Sequence, residues 1–150
     1  MGQRVHHSAV CVRDLDASLR FYREGLGLDV LMDEHFVGDW PVLFGGNATR
    51  LHSVFLGDAS RPDAGIVELV VFDGASRSAL PVTVDGGEPA DGFFLLSFFV
   101  EVDDALRRLA ELGFTGARRI EQPSPRGPVP MATVRDPDGV LVELIGAAPA

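Results

Sequence analysis

A seven-residue segment occurs twice in this chain and constrains its fold more than any other feature. Residues 63–69 (Asp-Ala-Gly-Ile-Val-Glu-Leu) align without a gap with residues 138–144 (Asp-Gly-Val-Leu-Val-Glu-Leu), sharing Asp, Val, Glu and Leu. An internal repeat of this kind indicates that one structural unit is used more than once. The sequence therefore predicts two related halves, in which Glu68 and Glu143 occupy equivalent positions.

The sequence upstream of each copy extends the repeat. A strand-like segment and then a helical one precede each copy: residues 5–12 and 14–24 in the first half, residues 93–100 and 102–112 in the second. Residues 28–37 and 49–56 read as further strands of the first half, and 114–121 and 131–134 as those of the second. The prediction is an α+β fold of two βαβββ modules.

The predicted boundaries follow from composition. The modules span residues 1–72 and 93–150, and residues 73–92 form a linker rich in Gly, Ala, Pro, Ser and Asp, with one brief strand at residues 80–84. Residues 93–100 are apolar on both faces and are expected to be buried on both. Residues 123–130 are predicted to be a loop, because proline cannot donate a hydrogen bond within a central ladder.

The insert at residues 39–47 separates two strands of the first half. Its apolar content and its two glycines favour a short arm folded over the mouth of a cavity. Trp40 is read either as a lid or as a core anchor, and the anchor is favoured because aromatic side chains mostly supply buried area.

Composition and charge exclude several classes of protein. With 150 residues, 46% of them hydrophobic, the chain can bury a core, but no apolar run approaches the roughly 20 residues that span a bilayer. The start of the chain lacks the apolar core of a signal peptide, and the single cysteine, Cys11, fits a reducing cytoplasm. The net charge of −9 without a basic cluster disfavours a nucleic-acid partner.

The turn Asp136-Pro137-Asp138-Gly139 leads into the strand that carries Glu143. Side chains alternate along a strand, so Glu143 shares a face with Leu141 and Ile145, an otherwise apolar row. A buried carboxylate needs a cation or hydrogen-bond donors. The same alternation places His7 with Ala9 and Cys11 on the face of the first strand that the helix leaves uncovered.

Two end motifs carry a resemblance to a known family. The segment His7-Ser8-Ala9-Val10-Cys11-Val12-Arg13-Asp14-Leu15, with Arg135-Asp136-Pro137-Asp138-Gly139 leading to Glu143-Leu144, resembles the vicinal oxygen chelate superfamily. That superfamily includes glyoxalase I, extradiol dioxygenases and bleomycin resistance proteins. The resemblance implies modules that curl into an open mixed β-barrel, a homodimer, and a small-molecule substrate or ligand.

The resemblance also implies a metal site. In metal-dependent members, four inward side chains from the first and last strands of each module surround a divalent ion. Carried over, these positions fall on His7, Glu68 and Glu143, and the fourth falls on Leu95, where such enzymes have histidine. One histidine and two carboxylates imply a divalent ion such as Zn, Mn, Ni, Fe or Mg. His52 and His35 are alternative ligands, whereas His6 has the wrong parity to share the face of His7.

Two classes of function follow from the resemblance. In a glyoxalase-like lyase or isomerase acting on a small carbonyl compound, Glu143 or Glu68 would be the catalytic base. In a metal-free binding protein of the antibiotic-resistance type, Leu95 and the phenylalanines at 93, 94, 98 and 99 would line an apolar pocket. Structural interpretations stand beside both: buried acids satisfied by arginine, a hydrogen-bonded His7, and phenylalanines that belong to the core. The enzyme is slightly favoured, because an apolar pocket gains nothing from two buried carboxylates.

Overall fold

The structure, a computed structural model, describes residues 2–74 and 91–147. The chain divides into two compact units, residues 1–23 with 27–78 and residues 24–26 with 79–150. The described residues form two four-stranded mixed sheets, and each sheet is open, with two edge strands. The predicted α+β fold of two βαβββ modules is confirmed. Most of the predicted linker, including the strand proposed at residues 80–84, lies outside the described residues.

The first module follows the predicted order of elements. They are β1 (His7–Cys11), α1 (Leu15–Leu19) continued by a π-helix (Arg20–Gly25), β2 (Asp29–Val37), α2 (Trp40–Phe44), β3 (Arg50–Gly57) and β4 (Ile66–Phe72). The sheet order is β1-β4-β3-β2, with β1 parallel to β4 and the other pairs antiparallel. The last strand, β4, therefore lies between β1 and β3.

Burial in β1 alternates as its sequence predicts. Val10 is buried, whereas His7, Ala9 and Cys11 are exposed. The helix that follows begins at Asp14, whose side chain accepts a hydrogen bond from the backbone N–H of Ala17 at 3.1 Å, because that N–H has no partner within the helix. His7 thus lies on the more open face of its sheet.

The insert between β2 and β3 contains a short helix, α2, that Trp40 holds in place. The Trp40 ring stacks on Phe44 with 5.8 Å between centroids, and its indole N–H donates to the carbonyl of Phe36 at 3.4 Å. A side chain at Gly38 would lie 2.9 Å from the Trp40 ring, so glycine permits the close approach. Trp40 is only half-buried and α2 has no buried residue, so these contacts make Trp40 an anchor of the insert and not of the core.

The second module repeats the arrangement. Its elements are β5 (Leu96–Phe99), α3 (Val102–Glu111), β6 (Arg118–Gln122), β7 (Val129–Arg135) and β8 (Leu141–Ile145), in the sheet order β5-β8-β7-β6. The helix α3 buries Val102, Ala105 and Leu109, which recur at the spacing of one helix face. No helix in the described part of the chain is long and apolar enough to cross a membrane.

Two predictions about the second module are wrong. Residues 93–100 are not buried on both faces: Leu96 is buried, but Phe93 is 75% exposed and Phe99 87% exposed. Within β5, Leu96 lies on the covered face, whereas Phe99 has the opposite parity and lies on the open face. Phe93, Phe94 and Phe99 are therefore not core residues of the described structure.

The predicted loop at residues 123–130 is shorter than expected. Pro130 belongs to β7, opposite Glu121. Pro130 lies near the start of that strand, where its carbonyl accepts a hydrogen bond from Gly146 N–H at 2.9 Å. This bond uses the proline carbonyl and needs no proline N–H.

Candidate functional site

The first module brings His7 and Glu68 together. Glu68, on β4, lies directly beside Ala9 of β1 and Phe55 of β3. His7 precedes Ala9 by two residues, so its side chain lies on the same face as that of Glu68. His7 Nε2 lies 3.1 Å from Glu68 Oε2, and the two side chains are 36% and 14% exposed. Two residues predicted from the sequence thus form a pair that is accessible from one side.

Further contacts extend this pair in both directions. The hydroxyl of Ser53, on β3, donates a hydrogen bond to Glu68 Oε1. On the other side, His7 Nδ1 lies 2.8 Å from His6 Nδ1, a distance at which one ring nitrogen donates to the other. The prediction that parity keeps His6 off the face of His7 is wrong, because His6 precedes β1 and strand alternation does not apply to it. The Phe55 ring lies 5.3 Å from the His7 ring. A continuous polar row, His6, His7, Glu68 and Ser53, therefore crosses three strands beside an aromatic ring.

The reasoning from sequence did not identify Ser53. It is 1% exposed, and it is the hydroxyl residue within an otherwise largely apolar stretch of β3. A buried hydroxyl is costly unless it is hydrogen-bonded, so a serine at this place indicates a nearby polar partner. The partner itself depends on the pairing of β3 with β4, which the sequence does not specify.

His35 and His52 do not replace the missing ligand. Phe55 lies beside Glu68, and His52 is three residues from Phe55, so His52 points to the opposite face of the sheet. There it stacks on His35 with 4.1 Å between ring centroids, and its Nε2 lies 2.5 Å from Asp33 Oδ1. These two histidines form a separate cluster.

Glu143 occupies the equivalent place in the second module. It lies between Ser97 of β5 and Thr133 of β7, and it is half-buried. Among the described residues no group forms a hydrogen bond or an ion pair with its carboxylate. The partner that the sequence led us to expect for Glu143 is therefore absent from the described part of the chain.

Asp136 holds the turn that leads to Glu143. Its Oδ1 accepts hydrogen bonds from the backbone N–H groups of Asp138 at 2.9 Å and Val140 at 2.8 Å. Gly139 has a φ of 87°, which glycine adopts without strain. The Asp-Pro-Asp-Gly turn predicted from the sequence thus fixes the start of β8, and with it the face on which Glu143 lies.

The chemistry of the His7–Glu68 pair suits a divalent cation. A nitrogen and an oxygen that each bind a tetrahedral zinc ion at about 2.0 Å are separated by roughly 3.3 Å, close to the 3.1 Å between His7 Nε2 and Glu68 Oε2. No three His, Cys, Asp or Glu side chains of residues 2–74 and 91–147 are grouped so as to hold a metal ion. The 3.1 Å separation is equally that of a His–Glu ion pair, so the described residues supply at most two of the donors that a metal site needs.

Comparison with known proteins places the chain in a family. The profile of the Glyoxalase/Bleomycin resistance protein/Dioxygenase superfamily matches residues 4–144. A lactoylglutathione lyase-like protein, terB, of Aspergillus terreus is 40% identical over an alignment of 149 residues that covers 94% of this chain and 74% of that protein. A probable lactoylglutathione lyase of Synechocystis is 28% identical over 93% of this chain and 92% of its own length.

Solved structures agree on the fold. The crystal structure of a glyoxalase family protein from Bacillus cereus superposes with a TM-score of 0.76, covering 97% of this chain and 95% of that one, at 20% identity. The profile match over nearly the whole length and the 40% identical relative show the same membership. The chain belongs to the Glyoxalase/Bleomycin resistance protein/Dioxygenase superfamily.

Proposed function

We propose that this protein is a metal-assisted lyase or isomerase that acts on a small carbonyl compound. The observation that carries the proposal is the His7–Glu68 pair, with its nitrogen and oxygen 3.1 Å apart on the accessible side of a sheet. A purely apolar binding surface gains nothing from a carboxylate and an imidazole held in this way. Glu143, at the repeat-related position of the second module, is proposed as a metal ligand as well.

The chain's own residues would divide the chemistry between them. His7 and Glu68 would hold a divalent ion, which when bound polarises a carbonyl oxygen as a Lewis acid. Glu143 is proposed as the base that takes a proton from the carbon next to the carbonyl and returns it to a neighbouring atom. The absence of a hydrogen-bond partner for Glu143 among the described residues supports this role, because a carboxylate engaged by donors is a weaker base.

The names of the relatives suggest the first substrates to test. Proteins 40% and 28% identical to this chain are called lactoylglutathione lyase-like and probable lactoylglutathione lyase. We therefore propose adducts of glutathione with small carbonyl compounds as the first substrate class to assay. The homodimer and the cytoplasmic location implied by the family resemblance stay predictions.

The decisive experiment measures metal content. The protein is purified without chelators, loaded with Mn, Zn, Ni, Fe or Mg, and compared with His7→Ala and Glu143→Ala by elemental analysis. One metal ion per chain in the wild type, reduced in both variants, is the expected result. A wild type that holds no metal while all three proteins have the same circular dichroism spectrum would overturn the proposal.

A second candidate function rests on the second module. Leu95 stands where a ligand is expected, and the exposed rings of Phe93 and Phe99 lie near it in the sequence. An apolar group of this kind favours a metal-free protein that binds a hydrophobic or aromatic small molecule. Under this alternative, such compounds raise the melting temperature of the protein and added metals do not.

A further inference from the structure

Ser53 is a buried polar residue whose role in the first module goes beyond packing. Its side chain is 1% exposed and lies on β3 beside Val70, two residues along β4 from Glu68. Its hydroxyl donates to Glu68 Oε1, while His7 lies against the other oxygen, Oε2. The two oxygens of one carboxylate thus have different partners on different strands.

We propose that Ser53 is a positioning residue that fixes Glu68 as a metal ligand through a single oxygen, Oε2. This inference rests on the proposed function. Because Ser53 engages Oε1 from the buried side, Glu68 cannot turn both oxygens toward an ion beside His7. A ligand held by an outer hydrogen bond also binds metal more tightly, because less of its rotational freedom is lost on binding.

The second module supplies an internal comparison. Ser53 pairs with Val70, two residues beyond Glu68, and Met131 pairs with Ile145, two residues beyond Glu143. Met131 is therefore the equivalent of Ser53, and a thioether has no hydrogen to donate to a carboxylate. Glu68 therefore has a hydrogen-bond donor at the position of Ser53, whereas Glu143 has none at the equivalent position, Met131. This difference favours Glu68 as the carboxylate that holds an ion and Glu143 as the base.

The test compares metal affinity in matched variants. Isothermal titration with Mn²⁺ and with Zn²⁺ is carried out on the wild type, on Ser53→Ala and on Thr133→Val. Loss of an outer partner typically weakens metal binding by about 10 to 100-fold, and this is the loss expected for Ser53→Ala. Thr133 lies beside Glu143 but makes no hydrogen bond to it, so Thr133→Val is expected to bind metal as the wild type does.

A second variant separates positioning from packing. Ser53→Cys keeps the approximate size of the side chain but replaces a good donor with a weak one. Its affinity for Mn²⁺, which prefers oxygen ligands to thiolate, is expected to fall nearly as far, while its melting temperature stays close to that of the wild type. Wild-type affinity in folded Ser53→Ala or Ser53→Cys would overturn the inference alone. A wild type that binds neither ion would overturn the proposed function and the inference with it.

Discussion

Leu95 in the second module occupies the position that His7 holds in the first. In the first module, Glu68 pairs with Ala9, and His7 lies two residues before Ala9. In the second module, Glu143 pairs with Ser97, and Leu95 lies two residues before Ser97. The repeat has thus kept a carboxylate in both modules but an imidazole in only one. The first module offers an imidazole and a carboxylate, and the second module offers a carboxylate alone.

Leu95→His is expected to restore the missing ligand. An added imidazole on the face of Glu143 gives the second module the same two donors, an imidazole and a carboxylate, that His7 and Glu68 provide in the first. Zn²⁺ and Ni²⁺ should bind at least about tenfold more tightly, which corresponds to about 1.4 kcal/mol. Isothermal titration of the wild type and the variant measures the difference.

The control for this substitution is Phe94→His. It adds an imidazole one residue earlier, at the parity of the opposite face, and should leave the affinity unchanged. An equal gain in both variants would mean that any added histidine binds metal, and the equivalence of Leu95 with His7 would then have no functional meaning.

The two repeated glutamates should differ in what their loss does. Glu68→Gln removes the carboxylate that His7 and Ser53 contact, so the protein should lose its metal and its activity together. Glu143→Gln removes the carboxylate proposed as the base, which has no hydrogen-bond partner among the described residues, so more metal should remain while kcat falls by about 10² to 10⁴-fold. Metal analysis and steady-state kinetics on the same samples provide the measurement. The reverse pattern would exchange the two roles.

Much of this fold could be predicted because the two copies of the repeat identify equivalent strands in the two modules. The copies around Glu68 and Glu143 define the last strand of each module, and period-two alternation in β1 assigns His7 and Val10 to opposite faces. The turn before Glu143 was predictable because Asp, Pro and Gly each favour a particular backbone geometry there.

The features that were missed depend on how distant strands pair. Ser53 and Glu68 are 15 residues apart, and only the register of β3 with β4 brings them together. The same register places His52 on the wrong face for a ligand, which sequence position alone could not reveal. Burial of residues 93–100 was overestimated because hydrophobicity alone does not show that one face of β5 is left uncovered.

The turn before β8 is expected to be a major source of stability for the second module. Asp136→Ala removes a carboxylate oxygen that accepts two backbone N–H groups, at 2.9 and 2.8 Å. Hydrogen bonds to a charged group contribute about 1.5 to 3 kcal/mol each, so the free energy of unfolding should fall by at least about 2 kcal/mol. Urea denaturation followed by circular dichroism measures this. Asp136→Asn keeps one acceptor oxygen and should lose less, and an equal loss in both variants would contradict this account.

The ion pair between Asp103 and Arg119 joins α3 to β6 and should make stability depend on acid pH. Arg119 donates to both oxygens of Asp103, at 2.7 and 3.1 Å, and these bonds hold the pKa of Asp103 below its ordinary value of 3.8. Because the pKa is lower in the folded than in the unfolded protein, the stabilisation is fully present above about pH 4. It is lost as the pH falls through the folded value.

Arg119→Gln removes the cation, so the pKa of Asp103 should rise toward 3.8, as measured by NMR titration of its carboxyl carbon. Stability near pH 7 should fall, and its decline between about pH 4 and pH 2 should become shallower, since less of it depends on an ionised Asp103. Arg107→Gln is the matched control, because Arg107 pairs with Asp104 at 2.9 Å and should leave the titration of Asp103 in place. If the pKa of Asp103 moved equally in both variants, the general loss of positive charge would explain it, and the bidentate contact with Arg119 would not.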